Sequence, residues 1–299
     1  MYIIEPKVFI CIPVHNRITL TIKCLESIYT QDYKNIVTII CDDNSTDDTF
    51  NIVSHKFPLV ILLRGNGNYW WAGAMNECVR KALTIGQIND YIFTLNNDTE
   101  LEKNTLTKLV CESIKTKRSV MGAVNLFYYN RNKIEPSAFK LRQKIGGVKR
   151  INNWGDDINK FKGNIEVDSL SGKGVLIPSE IFRNIGYYNN TYLPHYHSDN
   201  EFLIRAHNRG YRIFICYDAY LYSHQDKTGY GTKASKPDMI PFINSFFTIK
   251  SPHHLTSLYH FNKLISGKKY VFTLTCAIIA ILLGFLKRFI VYHWDRYRK

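Results

Sequence analysis

The stretch IVTIICDDNSTDDT, residues 36–49, decides the class of fold. Its first six residues are apolar or β-branched and predict a buried strand. Asp47 and Asp48 suit the start of the following helix, where negative charge is stabilised. Asp42 and Asp43 are poorly explained by helix capping, because they lie at the carboxyl end of the strand. A carboxylate there can accept a hydrogen bond from a nucleobase N–H or a ribose hydroxyl.

Strand and helix patterns alternate on both sides of this stretch. Strands are predicted at Val8–Ile12, Val60–Leu63 and Tyr91–Leu95, and helices at Ile18–Ile28, from Ser45 and at Gly73–Leu83. Strands separated by helices of this length form right-handed βαβ units. We therefore expect an α/β fold with a Rossmann-like, mostly parallel central sheet flanked by helices. In such sheets ligands bind beyond the carboxyl ends of the strands.

A second polar cluster, Asn96-Asn97-Asp98, follows the fourth predicted strand. Mg²⁺ often takes one or two carboxylates from a protein and completes its shell with substrate phosphates and water, and Asp98 is suited to be such a ligand. A turn built from Asn and Asp side chains is the alternative. The sequence contains neither a Gly-x-Gly-x-x-Gly after the first strand nor a Gly-x-x-x-x-Gly-Lys-Ser/Thr, which argues against a dinucleotide-binding or P-loop protein.

The middle of the chain is less regular. Asn125–Trp154 is basic and aromatic, contains Gly146 and Gly147, and is typical of a long loop or flap. Beyond it, strands are predicted at Val167–Leu170, Val175–Ile177, Tyr211–Tyr217 and Ala219–Tyr222, and helices at Ser179–Gly186 and Ser198–Asn208. Asp199 then falls in the first turn of a helix, where the helix dipole stabilises an ionised carboxylate.

The net charge of +14 is concentrated in two segments of the 299-residue chain. Residues 131–150 hold 7 basic and 1 acidic side chains, and residues 250–299 hold 9 and 1, whereas the rest is balanced. A nucleic-acid-binding protein more often spreads basic residues over its folded surface. We therefore expect a polyanionic ligand at the first segment, an anionic membrane surface at the second, and no nucleic acid.

The carboxyl-terminal part contains an uncharged, mostly apolar run, Val271–Leu286. Lys268 and Lys269 precede the run, and Lys287 and Arg288 follow it. A spanning helix needs about 20 apolar residues, so this run is short for a span. Attachment to the membrane surface, a true span and an oligomer-forming helix all remain open for the segment.

The cysteines and the amino terminus indicate a compartment. The seven cysteines are scattered without a Cys-x-x-Cys pair, and Cys11 and Cys41 lie in predicted strands. Buried free thiols fit a reducing environment. The amino terminus lacks a basic start followed by a long apolar run, so no secretory signal is visible. We expect a catalytic body that is made and kept in the cytoplasm.

Taken in order, these motifs resemble those of family 2 glycosyltransferases with the GT-A fold. VFICIPVHN and IICDDNSTDDT are similar to the family's two nucleotide-contacting segments, and LNNDT stands where the family carries its metal-binding Asp-x-Asp. Asn96 departs from the usual first Asp of that motif. GNYWWAGAMN and LPHYHSDNEF are most similar to rhamnosyl- or galactofuranosyltransferase-type members.

The resemblance implies a donor site on the first half of the chain. Asp43 would meet the base of a UDP- or dTDP-sugar. Asp98, together with His224 after the last strand, would hold a divalent cation, Mg²⁺ or Mn²⁺. The other donor-binding residues implied are Pro13, His15, Asn16, Asp42, Gly73, Asn76, Asn96 and Asn97.

The resemblance also implies an acceptor side on the second half. Asp199 takes the place of the family's catalytic Asp and would act as general base, with Glu201 as a second candidate. The acceptor-binding residues implied are Trp70, Trp71, Gly172, Lys173, His195 and His197. For the two tryptophans, stacking on a sugar face and burial as core anchors are both open.

The resemblance implies a GT-A domain over residues 1–235, with a donor half to about residue 125, a basic loop over 126–160 and an acceptor half over 161–235. A helical, membrane-associating appendage, apolar and basic, is expected over 236–299. The expected activity is an inverting transfer of a sugar to a hydroxyl of a lipid-linked saccharide in bacterial surface polysaccharide synthesis. A sugar nucleotidyltransferase and a non-catalytic carbohydrate-binding or scaffold protein are the alternatives.

Overall fold

The structure is a computed structural model that describes residues 5–142, 148–224 and 237–297, with side chains to residue 294. The strands are β1 (Val8–Val14), β2 (Ile36–Asp42), β3 (Ile61–Arg64), β4 (Tyr91–Thr94), β5 (Thr99–Leu101), β6 (Val120–Phe127), β7 (Asn130–Glu135), β8 (Ala138–Leu141), β9 (Val148–Arg150), β10 (Asn164–Val167), β11 (Ser169–Leu170), β12 (Val175–Pro178) and β13 (Ile213–Ser223). The helices are α1 (Ile18–Tyr29), α2 (Thr49–Lys56), α3 (Trp70–Ile85), α4 (Thr105–Lys115), α5 (Ser179–Ile185), α6 (Ser198–Asn208), α7 (Met239–Asn244), α8 (Leu255–Ser266) and α9 (Tyr270–Tyr297).

The central sheet has the strand order β10-β13-β6-β12-β4-β1-β2-β3. The strands β4, β1, β2 and β3 are parallel, as are β6 and β13, and β12 runs antiparallel between β4 and β6. This arrangement confirms the predicted α/β class and its parallel core. The carboxyl ends of β1, β2 and β4 meet at one edge of the sheet, which brings the segments that begin at His15, Asp43 and Leu95 together.

Several predicted elements are confirmed, with shifts at their ends. Helix α6 has the predicted bounds, and α5 begins at Ser179 as expected. The helix expected from Ser45 begins later, at Thr49, because Asp48 before it adopts a left-handed backbone with φ of 59°. The two strands expected over 211–222 form one strand, β13, whose pairing with β6 shifts between Cys216 and Tyr220.

The long loop expected over Asn125–Trp154 is a wrong prediction. Strand β7 pairs with β6 there, and β8 pairs with β9 and β11 in a separate three-stranded sheet. The first four residues of β7 are Asn, Arg, Asn and Lys, a composition with low intrinsic strand preference, so pairing with β6 decides their conformation. Gly146 and Gly147 lie outside the described residues, as does the expected domain boundary at residue 235.

The cysteines are free thiols, and the two in predicted strands are buried, as expected. Cys11 and Cys41 are buried in β1 and β2, and all seven cysteines are free thiols. Burial, with smaller contributions from nearby carboxylates such as Asp43, raises the pKa of the Cys41 thiol to about 12. A thiol with so high a pKa carries little thiolate at neutral pH and is inert.

The carboxyl-terminal helices extend the domain. Helix α8 contacts α6 and is followed by α9, which carries the apolar run predicted from the sequence. Within the described part of the chain, one helical stretch, Leu255–Trp294, is long and apolar enough to cross a membrane by length and composition.

Candidate active site

Asp43, directly after β2, organises the loop that leads from β3 into α3. Its Oδ1 accepts a hydrogen bond from the Gly67 N–H at 2.8 Å, and its Oδ2 accepts from the N–H groups of Tyr69 and Trp70 at 2.9 and 3.0 Å. A Cβ on Gly65 would lie 2.5 Å from Asp43 Oδ1, so the close approach requires glycine there. The carboxylate thus fixes this loop at the sheet edge, and its role toward a nucleobase stays a prediction.

Asp42 and the residues after β1 hold the neighbouring turn. Asp42 Oδ1 accepts a hydrogen bond from the Ser45 N–H at 2.9 Å. Asn16 Oδ1 accepts from the Thr46 N–H at 2.8 Å, and His15 Nδ1 lies 2.8 Å from the Asp43 carbonyl oxygen. These bonds hold the segment after β1 against the segment after β2. Pro13, the other residue predicted there, lies within β1.

Asp98, the predicted metal ligand, is buried and incompletely paired. Its Oδ1 has no hydrogen-bond partner among the described residues, and its Oδ2 lies 3.6 Å from Arg17 Nη1. A buried carboxylate oxygen without a partner is costly unless a ligand or ion satisfies it. The Asn97 side chain, by contrast, bonds within the protein, because its amide donates to Thr21 Oγ1 at 3.0 Å.

The backbone of His224 lies next to that of Asp98. Its backbone N–H donates to the Asp98 carbonyl oxygen at 3.0 Å. Its Nε2 lies 2.7 Å from Glu100 Oε1, and its ring stacks on Tyr128 with centroids 3.8 Å apart. A carboxylate that orients a histidine ring in this way is common at metal sites. Among the described residues, no group of three His, Cys, Asp or Glu side chains is arranged to hold a metal by itself.

Asp199, the predicted base, lies in the first turn of α6. Its Oδ2 accepts a hydrogen bond from the Gly172 N–H at 2.7 Å, and its Oδ1 accepts from the Asn200 N–H at 2.8 Å. The side chain is partly exposed, so the oxygens can also reach a ligand.

Trp71 lies between Asp199 and the loop that carries Asn96 and Asp98. Its Nε1–H donates to Asn96 Oδ1 at 2.8 Å. A Cβ on Gly172 would come within 2.6 Å of the Trp71 ring and 2.9 Å of Asp199 Cβ, so ring, glycine and carboxylate are in close contact. The ring also packs edge-on against Tyr188 with centroids 5.2 Å apart. Asn96 and Gly172 are thus brought together by Trp71.

Trp70 and His195 form the other aromatic part of the site. Their rings lie 5.7 Å apart, and Trp70 adopts a left-handed backbone with φ of 54°. Burial lowers the pKa of His195, and the positive charge of Arg17 lowers it further. A neutral imidazole at this place can donate or accept a hydrogen bond with a sugar hydroxyl. Gly73, in the first turn of α3, would place a Cβ 3.1 Å from Tyr69 Cβ.

Four predicted site residues bond to other groups of the protein: Glu201, Asn76, Lys173 and His197. Glu201 is buried and forms a two-point ion pair with Arg205, at 2.8 and 3.1 Å. Because Arg205 also donates to the Ile185 and Tyr187 carbonyls, this pair anchors α6, and we assign Glu201 a structural role in place of a catalytic one.

The other three residues have similar internal partners. The Asn76 amide bonds the backbone N–H and C=O of Tyr188, at 3.0 and 2.9 Å. Lys173 pairs with Glu135 at 2.7 Å. His197 Nε2 lies 3.0 Å from the Pro252 carbonyl oxygen. These contacts favour positioning roles over the ligand contacts that the sequence predicted.

Arg17 is a site residue that the sequence prediction missed. It adopts a left-handed backbone with φ of 68°, and its guanidinium faces Asp98 and lowers the pKa of His195. The signal in the sequence was a cation directly after the His15-Asn16 motif, at the carboxyl end of the first strand. Glu100, the partner of His224, was missed as well, although it follows Asp98 at a spacing of two.

A family model confirms the resemblance noted in the sequence. The model of glycosyl transferase family 2 matches residues 9–186. The matched range includes the segments that carry Asp43, Asp98, Trp71 and Gly172, and it ends before α6.

Three curated relatives match shorter stretches. A "Putative glycosyltransferase EpsE" of Bacillus subtilis is 32% identical over 97 residues, which are 31% of this chain and 33% of that protein. A GalNAc(5)-diNAcBac-PP-undecaprenol β-1,3-glucosyltransferase of Campylobacter jejuni is 42% identical over 50 residues, 17% of this chain and 16% of that one. The UDP-Glc:α-D-GlcNAc-diphosphoundecaprenol β-1,3-glucosyltransferase WfaP of Escherichia coli is 44% identical over 59 residues, 19% and 24% of the two chains. The chain thus matches a third or less of the length of each of these relatives.

A solved structure shares the fold. The crystal structure of GalNAc-T7 with UDP, GalNAc and Mn²⁺ superposes with a TM-score of 0.65 at 13% identity, over 89% of this chain and 49% of the other. At so low an identity the likeness shows the architecture alone, and it confirms the predicted GT-A fold.

Proposed function

Because the chain belongs to glycosyl transferase family 2, we propose that it transfers a sugar from a UDP- or dTDP-sugar to a hydroxyl of a lipid-linked saccharide, with inversion. One observation carries the proposal. A partly exposed carboxylate, Asp199, and a buried carboxylate with an unpaired oxygen, Asp98, are connected through the Trp71–Asn96 pair. An acceptor hydroxyl needs a base, and a leaving diphosphate needs positive charge, so the two carboxylates suit two different ends of one reaction.

Asp199 performs the proton transfer in this mechanism. The acceptor oxygen attacks the anomeric carbon from the face opposite the diphosphate, and its proton passes to Asp199. A new C–O bond forms, the bond from the anomeric carbon to the diphosphate oxygen breaks, and the electron pair leaves with the diphosphate. Attack from the opposite face inverts the anomeric configuration. The hydrogen bonds from Gly172 and Asn200 hold the carboxylate in one orientation during this step.

The proposed divalent cation, Mg²⁺ or Mn²⁺, is tested against the residues at the sheet edge. Asp98 Oδ1, buried and without a partner, fits a site in which one carboxylate shares the ion with phosphates and water. His224, oriented by Glu100, is the second residue that would hold it. A bound cation would neutralise charge on the leaving diphosphate. Arg17 adds a fixed positive charge beside Asp98.

Donor and acceptor classes are proposed from similar proteins. The solved neighbour contains UDP and Mn²⁺, and two relatives are named as enzymes acting on undecaprenol-linked diphosphates. We extend both to this chain, including a role in bacterial surface polysaccharide synthesis. The apolar helix α9 with its basic flanks would hold the enzyme at the cytoplasmic face of the inner membrane, where a lipid-linked acceptor is found.

The experiment compares the wild-type chain with Asp199→Asn. Transfer is measured with a panel of UDP- and dTDP-sugars and an undecaprenyl-diphosphate-linked saccharide, and donor binding is measured by thermal shift with Mn²⁺. Asn can keep the bond from Gly172 but cannot take the proton, so transfer should fall about 10²- to 10⁴-fold while donor binding persists. Asp218→Asn, which changes an exposed carboxylate on β13, is the matched control.

Two results would contradict the proposal. Unchanged transfer by Asp199→Asn would remove Asp199 from the role of base. If no UDP- or dTDP-sugar stabilised the wild-type protein, with or without metal, the glycosyltransferase function itself would be wrong.

A further inference from the structure

Helices α8 and α9 form an antiparallel hairpin. Gly267 joins them with a left-handed backbone, φ of 52°. At the closed end, the rings of Tyr259 and Tyr270 lie 5.6 Å apart, and Thr273 Oγ1 donates to Ser266 Oγ at 3.1 Å. Helix α9 therefore runs back along α8.

Helix α8 is in turn fixed to the catalytic domain. Phe261 of α8 packs with Leu193 and with Ile204 of α6 in one buried cluster. His197, which precedes α6, stacks on Phe261 with centroids 4.8 Å apart and bonds the Pro252 carbonyl. The chain before α8 and α8 itself are thus tied to the helix that carries Asp199.

The later part of α9 is also attached to this side of the protein. Phe285 is buried and stacks on Phe242 of α7, with centroids 4.0 Å apart and rings inclined by 14°. Arg288 lies close enough to His253 that, after burial, its charge is the next largest cause lowering the pKa of that imidazole. The start of α9 therefore lies against α8, and its second half lies against α7 and the loop before α8.

This double attachment is incompatible with a span that begins at Tyr270. At 1.5 Å per residue, Phe285 would lie about 22 Å deeper than Tyr270 along the membrane normal. Phe242 of α7, and the loop before α8 that bonds His197, would have to follow it into the hydrocarbon. Pro252 in that loop bonds His197 of the catalytic domain, and Phe242 packs on His253 of the same loop with ring centroids 6.2 Å apart, so both stay beside the catalytic domain.

The apolar residues of α9 divide into two sides. Leu274, Ile278, Ile281 and Phe285 recur at helical spacing on one side, that of the residue buried against α7. The rest of the helix surface is a broad stripe of exposed apolar residues: Val271, Phe272, Ile279, Leu282, Leu283, Leu286, Ile290, Val291 and Trp294. Helix α7 adds the exposed residues Met239, Ile240 and Ile243, and Phe247 follows it. An exposed apolar surface of this extent is typical of a site that contacts a membrane or another protein.

From this geometry we propose that α7 and α9 lie in the plane of an anionic bilayer, with their exposed apolar residues in the headgroup boundary, and that α9 does not cross it. Lys268, Lys269, Lys287 and Arg288 flank the stripe and suit anionic headgroups. A second copy of the chain on the same surface would bring these cations together, which favours lipid as the occupant. The inference deepens the proposed function, because it rests on an acceptor anchored in the same bilayer.

Cysteine labelling in a bacterial expression host tests the orientation. The exposed Cys111 and Cys276 are replaced by Ser, and single reporters are made by Lys268→Cys and Trp294→Cys. Intact spheroplasts and lysed membranes are treated with a membrane-impermeant maleimide. For a helix in the cytoplasmic interface, both reporters label only after lysis. Labelling of Trp294→Cys in intact spheroplasts would show a span and overturn the inference.

Vesicle binding of the purified full-length chain tests the role of α7. The double variant Ile240→Glu/Ile243→Glu should bind vesicles containing phosphatidylglycerol at least about tenfold more weakly than the wild type. Leu59→Glu makes the same change at a residue 80% exposed near the start of β3 and should bind as the wild type does. Equal binding by the α7 variant, or a stable dimer in place of vesicle binding, would overturn the inference.

Neither assay needs a donor or a transfer reaction. A chain that labels as an interfacial protein but transfers no sugar would contradict the proposed function and leave this inference standing. The reverse result, transfer by a chain whose α9 spans the membrane, would contradict the inference alone.

Discussion

The indole N–H of Trp71 donates a hydrogen bond of 2.8 Å to Oδ1 of Asn96. The bond joins the loop that carries Asp98 to an aromatic ring in contact with Gly172 and, through it, with Asp199. It also gives a reason for Asn96 in place of the first Asp of the motif that the family resemblance implies. An amide oxygen accepts the hydrogen bond from the indole N–H without placing a second negative charge beside Asp98.

Replacing Trp71 by Phe tests the strength of this connection. Trp71→Phe removes the donor and part of the ring against Gly172, so we expect the free energy of unfolding to fall by about 1–3 kcal/mol. Urea unfolding measures the change. Trp154→Phe, a change at a tryptophan 44% exposed, should alter the value by less than about 0.5 kcal/mol. Equal effects of the two variants would mean that the Trp71 bond contributes nothing specific.

Gly172 provides a second test, because it has no room for a side chain. The Cβ of Gly172→Ala would lie 2.6 Å from ring carbons of Trp71, whose ring is held by Asn96. Displacing the ring should cost about 1–3 kcal/mol of stability in a thermal or urea melt. Gly284→Ala in α9, where a Cβ would meet nothing within 4 Å, should be neutral or stabilising by about 1 kcal/mol. A neutral Gly172→Ala would contradict the close packing.

Elements with a strong local pattern could be predicted from the sequence, and elements that depend on distant partners could not. Helix α6 shows its period and its stop at Gly210, and β2 is a continuous apolar run. Strand β7 begins with four polar residues and exists because β6 offers it hydrogen bonds. No window of the sequence contains that information.

The same division holds within the site. The order of motifs predicted that Asp43 and Asp98 lie at one edge of the sheet, because the carboxyl ends of parallel strands meet there. The place of Asp199, in the first turn of α6, was predicted from the family resemblance. The internal partners of Asn76 and Glu201 could not be read from the sequence, since Tyr188 lies 112 residues from Asn76 and Arg205 is positioned by the Ile185 and Tyr187 carbonyls at and beyond the end of α5. Polar residues in a motif can serve the fold or a ligand, and contacts decide which.

Asp98→Asn tests the cation proposed at the sheet edge. The substitution keeps the shape of the side chain but removes the charge that a divalent cation requires. We expect calorimetry to show that Mn²⁺ no longer strengthens UDP binding, or does so at least about tenfold less than in the wild type. The companion variant Asn96→Asp adds a carboxylate at the neighbouring position, still able to accept the Trp71 bond, and should strengthen the Mn²⁺ effect. Unchanged Mn²⁺ dependence in Asp98→Asn would contradict the assignment.

The histidines between α6 and α8 predict a pH dependence of stability. Burial lowers the pKa of His197 below its ordinary value of 6.5, and burial also lowers that of His195 and His253. The unfolded chain therefore takes up protons more readily than the folded one below pH 6.5. Stability from these groups is present above that pH and is lost as the pH falls through the lowered values. The slope is at most about 1.4 kcal/mol per pH unit for each histidine.

His197→Asn isolates one of these contributions. Asn tolerates the left-handed backbone at this position, φ of 69°, and does not titrate, but its shorter side chain loses the Nε2 bond to the Pro252 carbonyl. Urea unfolding between about pH 5 and 7.5 should give a shallower dependence for His197→Asn than for the wild type, with the difference largest at the acid end. His55→Asn, which removes an exposed imidazole on α2, shows what the loss of a histidine away from this packing does. If His197→Asn and the wild type lost stability equally on acidification, the contact between His197 and the α8 segment would not be the source of the acid sensitivity.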